Sequence, residues 1–269
     1  MSNNDFINKA DRPVGFFDSG FGGLTVLSKV SKQIPEENYI YFADTMNAPY
    51  GTKSIRIVKK LVFKAAEILV KEDIKILVIA CNTATGAAIS DLRRMYDIPI
   101  IGMEPAVKPA VLDSNGKRVL VVATPLTLKE KKFKDLLERV DKDNIVDLLA
   151  LPGLVEYAEK MNFDETEIIS YLRTMLAKVE MSKYGSIVLG CTHYLYYRSM
   201  LKKLLPPGVK IIDSTEGTIN RIKNIILENN FGAKRNKGSI KYIVSGNKVD
   251  DTEKFQTLMD RAEEESGGK

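Results

Sequence analysis

The chain is sparing with reactive side chains: its 269 residues hold no tryptophan, one histidine and two cysteines. So little cysteine excludes a disulfide framework, and thiols 110 positions apart are not a CxxC redox pair. Clustered metal-ligand spacing is also missing, apart from the short run Cys191-Thr192-His193. No apolar run approaches the ~18 residues of a membrane-spanning helix. The opening "MSNNDFINKADR" lacks the apolar core of a signal peptide, which predicts a soluble, cytoplasmic protein with free thiols and no membrane partner. Basic residues form no stripe interleaved with aromatics, so no nucleic-acid interface is expected. The net charge of +5 is mild and suits a small anionic substrate better.

What is present is ordinary globular composition, 44% hydrophobic and 28% charged, in a chain long enough for one or two domains. Short β-branched runs alternate with longer amphipathic stretches, the pattern of parallel sheets flanked by helices. Strands are predicted near Val14–Asp18, Tyr39–Ala43, Lys75–Ala80, Ile98–Gly102, Val119–Val122, Ile145–Ala150, Ser186–Leu189, Lys210–Ile212 and Ile240–Val244. Helices are predicted in most gaps, among them Gly23–Gln33, Ser54–Glu72, Ala84–Met95, Leu128–Val140, Glu165–Met181, Tyr196–Leu205 and Thr252–Glu264.

The two cysteines close two look-alike strands. At an offset of 110, Ile76–Thr83 overlays Ser186–His193 and brings Cys81 onto Cys191. At an offset of 105, "VGFFDS" (Val14–Ser19) overlays "VLVVAT" (Val119–Thr124). The repeat predicts an α/β fold of two pseudo-symmetric, doubly wound domains, each with a mainly parallel sheet, the active site lying in the cleft between them. Ligands sit beyond the carboxyl ends of strands in such sheets, so Cys81 and Cys191 would approach one ligand from opposite sides. The expected division is 1–103 plus 214–269 for the first domain and 104–213 for the second.

A thiol gains reactivity where its pKa is lowered, at a helix N-terminus or beside a cation. Cys81 precedes a helix, with Asn82 and Thr83 expected as cap or ligand residues, and His193 sits two residues from Cys191. Two thiols on opposite faces of one carbon suit inversion of a stereocentre: one removes a proton and the other returns one. Asp18 could assist. Ser19, Asn82, Thr83, Thr124, Thr192 and the backbone of "PYGT" (Pro49–Thr52) could hold the developing charge. Asp18-Ser19 is also expected to cap the helix after Gly22 and Gly23, and Tyr194, Tyr196 and Tyr197 to be packing or surface residues.

"DSGFGGL" at Asp18, "PYGTKS" at Pro49, "ACNTA" at Ala80, "LGCTHY" at Leu189 and "DS" at Asp213 together resemble glutamate racemase. The resemblance spans nearly the whole chain. It implies cofactor-independent, metal-free interconversion of L- and D-glutamate, supplying D-glutamate for peptidoglycan, by a homodimer. It assigns Cys81 to D-glutamate and Cys191 to L-glutamate, with Asp18 and His193 as their respective helpers. Substrate contacts fall on Asp18, Ser19, Tyr50, Gly51, Asn82, Thr83, Thr192 and His193, with Thr124 added. An acid near the second thiol falls in "LVEYAE" (Leu154–Glu159), where register favours Glu159 over its competitor Glu156. The tail "YIVSGNKVDDTEKF" is similar to the family's terminal strand and helix and is expected to rejoin the first domain. Three alternatives stand beside this reading: an aspartate racemase, a zinc enzyme using Cys81, Cys191, His193 and a carboxylate, and a non-catalytic two-lobed binding protein.

Overall fold

The computed structural model describes residues 9–234, 237–246 and 252–267. Apolar β-branched and aromatic runs become buried parallel strands, as their near-continuous hydrophobicity requires. Strands β1 (Val14–Asp18), β2 (Tyr39–Ala43), β3 (Ile76–Ile79), β4 (Ile100–Gly102) and β9 (Ile240–Val244) form one sheet, ordered β4-β3-β1-β2-β9. Strands β5 (Arg118–Ala123), β6 (Val146–Ala150), β7 (Tyr184–Leu189) and β8 (Lys210–Ile212) form the other, ordered β6-β5-β7-β8. Every pairing is parallel. Laying β1 on β5 superposes β4-β3-β1-β2 on β8-β7-β5-β6, so the two halves share one topology and β9 is an addition to the first.

Amphipathic helices cover both sheets. Helix α1 (Leu24–Gln33) buries Leu24, Val26, Leu27 and Val30 against β1 and β2. Helices α2 (Ile55–Lys71) and α3 (Asn82–Met95) cover the opposite face of that sheet. The C-terminal segment returns to the first sheet: β9 pairs with β2, and α11 (Thr252–Gly267) packs on α1, burying Phe255, Leu258, Met259 and Ala262. Residues 247–251 of that tail, and the first eight residues of the N-terminal segment, lie outside the described residues.

The elements differ from the sequence-based expectation in five places. Helix α4 (Val107–Leu112) and helix α7 (Pro152–Glu159) were not expected, both being short. The helix expected over Leu128–Val140 is two, α5 (Pro125–Lys129) and α6 (Lys131–Val140), separated by Glu130 with extended backbone, φ −60° and ψ 137°. Its start is displaced because the Thr124 side chain accepts from the Thr127 N–H, and Pro125 fits the first helical turn. Helix α8 (Glu165–Leu176) ends before the expected Met181, and the one expected from Tyr196 opens as a 3₁₀ turn, Thr192–Tyr197, before α9 (Arg198–Leu204). Helix α10 (Thr215–Glu228) matches the apolar period closely.

Candidate active site

Strand β3 delivers Cys81 to the start of α3. Cys81 is itself the N-cap, its Sγ accepting from the Ala84 N–H at 3.4 Å, so Asn82 and Thr83 are the first helical residues and not the cap. Ser19 Oγ lies 3.5 Å from the same sulfur. The expected lowering of this thiol does not prevail. Burial, reinforced by the charge of Asp18, outweighs the Ala84 and Ser19 hydrogen bonds and pushes the Cys81 pKa up to about 12. At neutral pH Cys81 therefore carries its proton.

Strand β7 delivers Cys191 to the matching place on the second sheet. Its Sγ is 3.7 Å from His193 Nδ1, and His193 Nε2 is 2.6 Å from Glu159 Oε1. The Gly22 N–H also points at Nε2, at 3.2 Å. One ring nitrogen cannot both donate to a carboxylate and accept an amide proton. The shorter, charge-assisted contact prevails. Burial alone would lower the His193 pKa, but the hydrogen bonds to Cys191 and Glu159 outweigh it and hold it well above the ordinary imidazole value. His193 is thus an imidazolium between a sulfur and a carboxylate. Of the two acids weighed from the sequence, α7 turns Glu159 inward to His193 and the Phe21 N–H, 2.9 Å away, and leaves Glu156 exposed.

Asp18 ends β1 and stitches the two halves together. Its Oδ1 accepts from the Gly20 N–H at 2.8 Å and its Oδ2 from Thr192 Oγ1 at 3.2 Å. Complete burial raises its pKa to about 6, against the lowering pull of His193 and these donors. It does not cap α1, whose N-cap is Gly23 with no side-chain bond. The loop after Asp18 is glycine-rich for reasons of space: a Cβ on Gly22 would overlap the His193 ring.

The remaining candidates gather around these groups. Tyr50 turns its hydroxyl away to Asp44, 2.6 Å distant, leaving the Tyr50-Gly51 backbone to face the second half. There a Cβ on Gly51 would come within 2.5 Å of Thr124 Cβ. Thr83 Oγ1 crosses the cleft to Thr124 Oγ1 at 2.9 Å and Thr127 Oγ1 at 3.0 Å. Thr127 went unnoticed in the sequence, although it stands one helical turn after Thr124 in "TPLT". Asn82 is buried beside them. Tyr194, Tyr196 and Tyr197 are all buried. The Tyr196 hydroxyl donates to the Phe21 carbonyl at 2.9 Å, tying the 3₁₀ turn to the glycine loop. Among the described residues, no three histidine, cysteine or carboxylate side chains gather as a metal-holding group.

The chemistry this permits is proton transfer between two unlike thiols. One is a buried acid; the other has an imidazolium at its side. Each follows the equivalent strand of its own half, β3 or β7.

Residues 23–222 match the family model described as Asp/Glu/Hydantoin racemase. Over 87% of this chain and 93% of the relative, the sequence is 51% identical to a glutamate racemase of Halothermothrix orenii. The fold superposes on a glutamate racemase of Bacillus anthracis with a TM-score of 0.82 at 29% identity, covering 93% of each chain. It matches the Francisella tularensis glutamate racemase solved with D-glutamate at a TM-score of 0.80 and 26% identity, covering 94% of each.

Proposed function

The chain belongs to the Asp/Glu/Hydantoin racemase family, and we propose that it interconverts L- and D-glutamate by a two-thiol proton relay at Cα. The observation that carries this is the placement of one cysteine at the end of the equivalent strand in each half. The sulfur on one side is protonated, and the other faces His193. Glutamate is preferred over aspartate because the relatives that match along most of the chain are glutamate racemases. The D-glutamate formed would supply peptidoglycan synthesis in the cytoplasm, and the working unit is taken to be a homodimer.

Starting from L-glutamate, the Cys191 thiolate removes the Cα proton, becoming a thiol. The electron pair left on Cα is shared with the carboxylate, whose growing charge is met by hydroxyl and N–H donors of Ser19, Gly51, Asn82, Thr83, Thr124 and Thr192. The Cys81 thiol then protonates the opposite face, becoming a thiolate and completing D-glutamate. Proton balance leaves the roles exchanged, so the reverse reaction uses the same atoms. His193, supported by Glu159, stabilises the Cys191 thiolate before the step. Asp18 serves Cys81 electrostatically, its charge acting directly on the thiol.

Purified, metal-free protein without pyridoxal phosphate should erase the circular dichroism of L-glutamate. Either Cys81→Ser or Cys191→Ser should lower turnover by about 10³-fold or more, because a serine hydroxyl is a far weaker base. Full activity in either variant contradicts the proposal.

A further inference from the structure

A small cavity of about 20 Å³ lies beside the site at the seam between the two halves. Asn82 and Gly86 of α3 and Met103 line one side; Thr127, Glu130 and Phe133 line the other. Two polar atoms at this cavity, Asn82 Nδ2 and Glu130 Oε1, are buried and have no hydrogen-bond partner among the described residues. Their residues are only 6% and 5% exposed. One is a donor and the other an acceptor.

A buried polar atom is costly to leave unpaired, and the volume exceeds the ~10–15 Å³ that one water needs. Glu130 also forgoes the role its position offers. It is the N-cap of α6 yet makes no capping bond with its side chain, which lies instead against α3. It can do so because α3 carries Gly86 there: a Cβ at that position would stand 3.1 Å from Glu130 Oε2. Lys132, which also lines the cavity, is engaged by Glu104.

We propose that Glu130 is a positioning residue: through one water held in this cavity it orients the Asn82 amide, so the second half of the molecule fixes a substrate donor carried by the first. This rests on the reading of Asn82 as a substrate contact.

The test is a double-mutant cycle of Glu130→Ala and Asn82→Ala, with Glu130→Gln as the conservative variant, reading kcat and KM in both directions. Glu130→Ala should lower kcat/KM for glutamate about tenfold in both directions, with a fall in kcat, the size expected for one lost buried hydrogen bond to a group that meets developing charge. Glu130→Gln, which keeps an acceptor oxygen, should restore most of it. In the Asn82→Ala background the Glu130→Ala effect should vanish. Additive effects, or an unchanged kcat/KM in Glu130→Ala, overturn the proposal while leaving Asn82 as a substrate contact. An unchanged kcat/KM in Asn82→Ala defeats that underlying assignment and the proposal with it. A high-resolution crystal structure of the unaltered protein gives a second, independent check. A water bonded to both Asn82 Nδ2 and Glu130 Oε1 is expected, and density showing none overturns the proposal even if the variants fail to fold.

Discussion

His193 and Glu159 share a contact of 2.6 Å between Nε2 and Oε1, and through it a carboxylate from α7 sets the charge of a ring that faces Cys191. The imidazolium is maintained against its own burial only because partners sit at both nitrogens.

Removing that support should therefore cost catalysis selectively. Glu159→Gln keeps the size and loses the charge, so kcat from L-glutamate should fall by about 10–100-fold, as for loss of a group assisting proton transfer. Glu156→Gln, on the exposed side of the same helix, should remain within about twofold of the parent. Circular dichroism assays of both variants from both enantiomers check this.

Asp18 gives a stability prediction with a definite sign. Its pKa is about 6 in the folded protein and 3.8 in the unfolded reference, so the native state favours the protonated form. The contribution to stability is full below the unfolded value and is lost as pH rises through about 6. Asp18→Asn keeps an oxygen for the Gly20 N–H, and its amide can donate to Thr192. It should be more stable than the parent at pH 7.5, by up to about 3 kcal/mol, with the gain shrinking towards zero near pH 4. Urea unfolding at the two pH values measures it, and activity should drop at both.

Gly22→Ala should damage both fold and function. The added methyl has no room beside His193 and Thr192, so the glycine loop must move off the 3₁₀ turn. A loss of about 1–3 kcal/mol in unfolding free energy is expected, together with a fall in kcat. Gly217→Ala, within helix α10 and with nothing within 4 Å of the new Cβ, is the control: activity should stay unchanged and stability should rise by up to about 1 kcal/mol, alanine being the better helix former.

The legible part of this molecule was what repeats or alternates. Strands β1, β2, β8 and β9 were readable to the residue because apolar β-branched runs end abruptly in polar or turn residues. The paired cysteines announced the duplication that the sheet order displays. Helix α7 was hidden because "LLALPGLVEYAEK" runs apolar through β6 and Leu151 into the helix, with only Pro152 marking its start. Cross-cleft partners left no local signal: nothing near Tyr196 points to the Phe21 carbonyl, and nothing near Thr83 points to Thr127. The Cys81 pKa was misjudged because a helix N-terminus is visible in sequence, whereas the depth of burial that overrides it is not.

The relay itself is tested most directly by racemising L-glutamate in D₂O and analysing both enantiomers at low conversion. Two separate thiols predict that newly formed D-glutamate carries solvent deuterium at Cα while the remaining L-glutamate is still largely protiated. Product that retains the substrate's own proton would mean a single group serving both faces, and would contradict the roles given to Cys81 and Cys191.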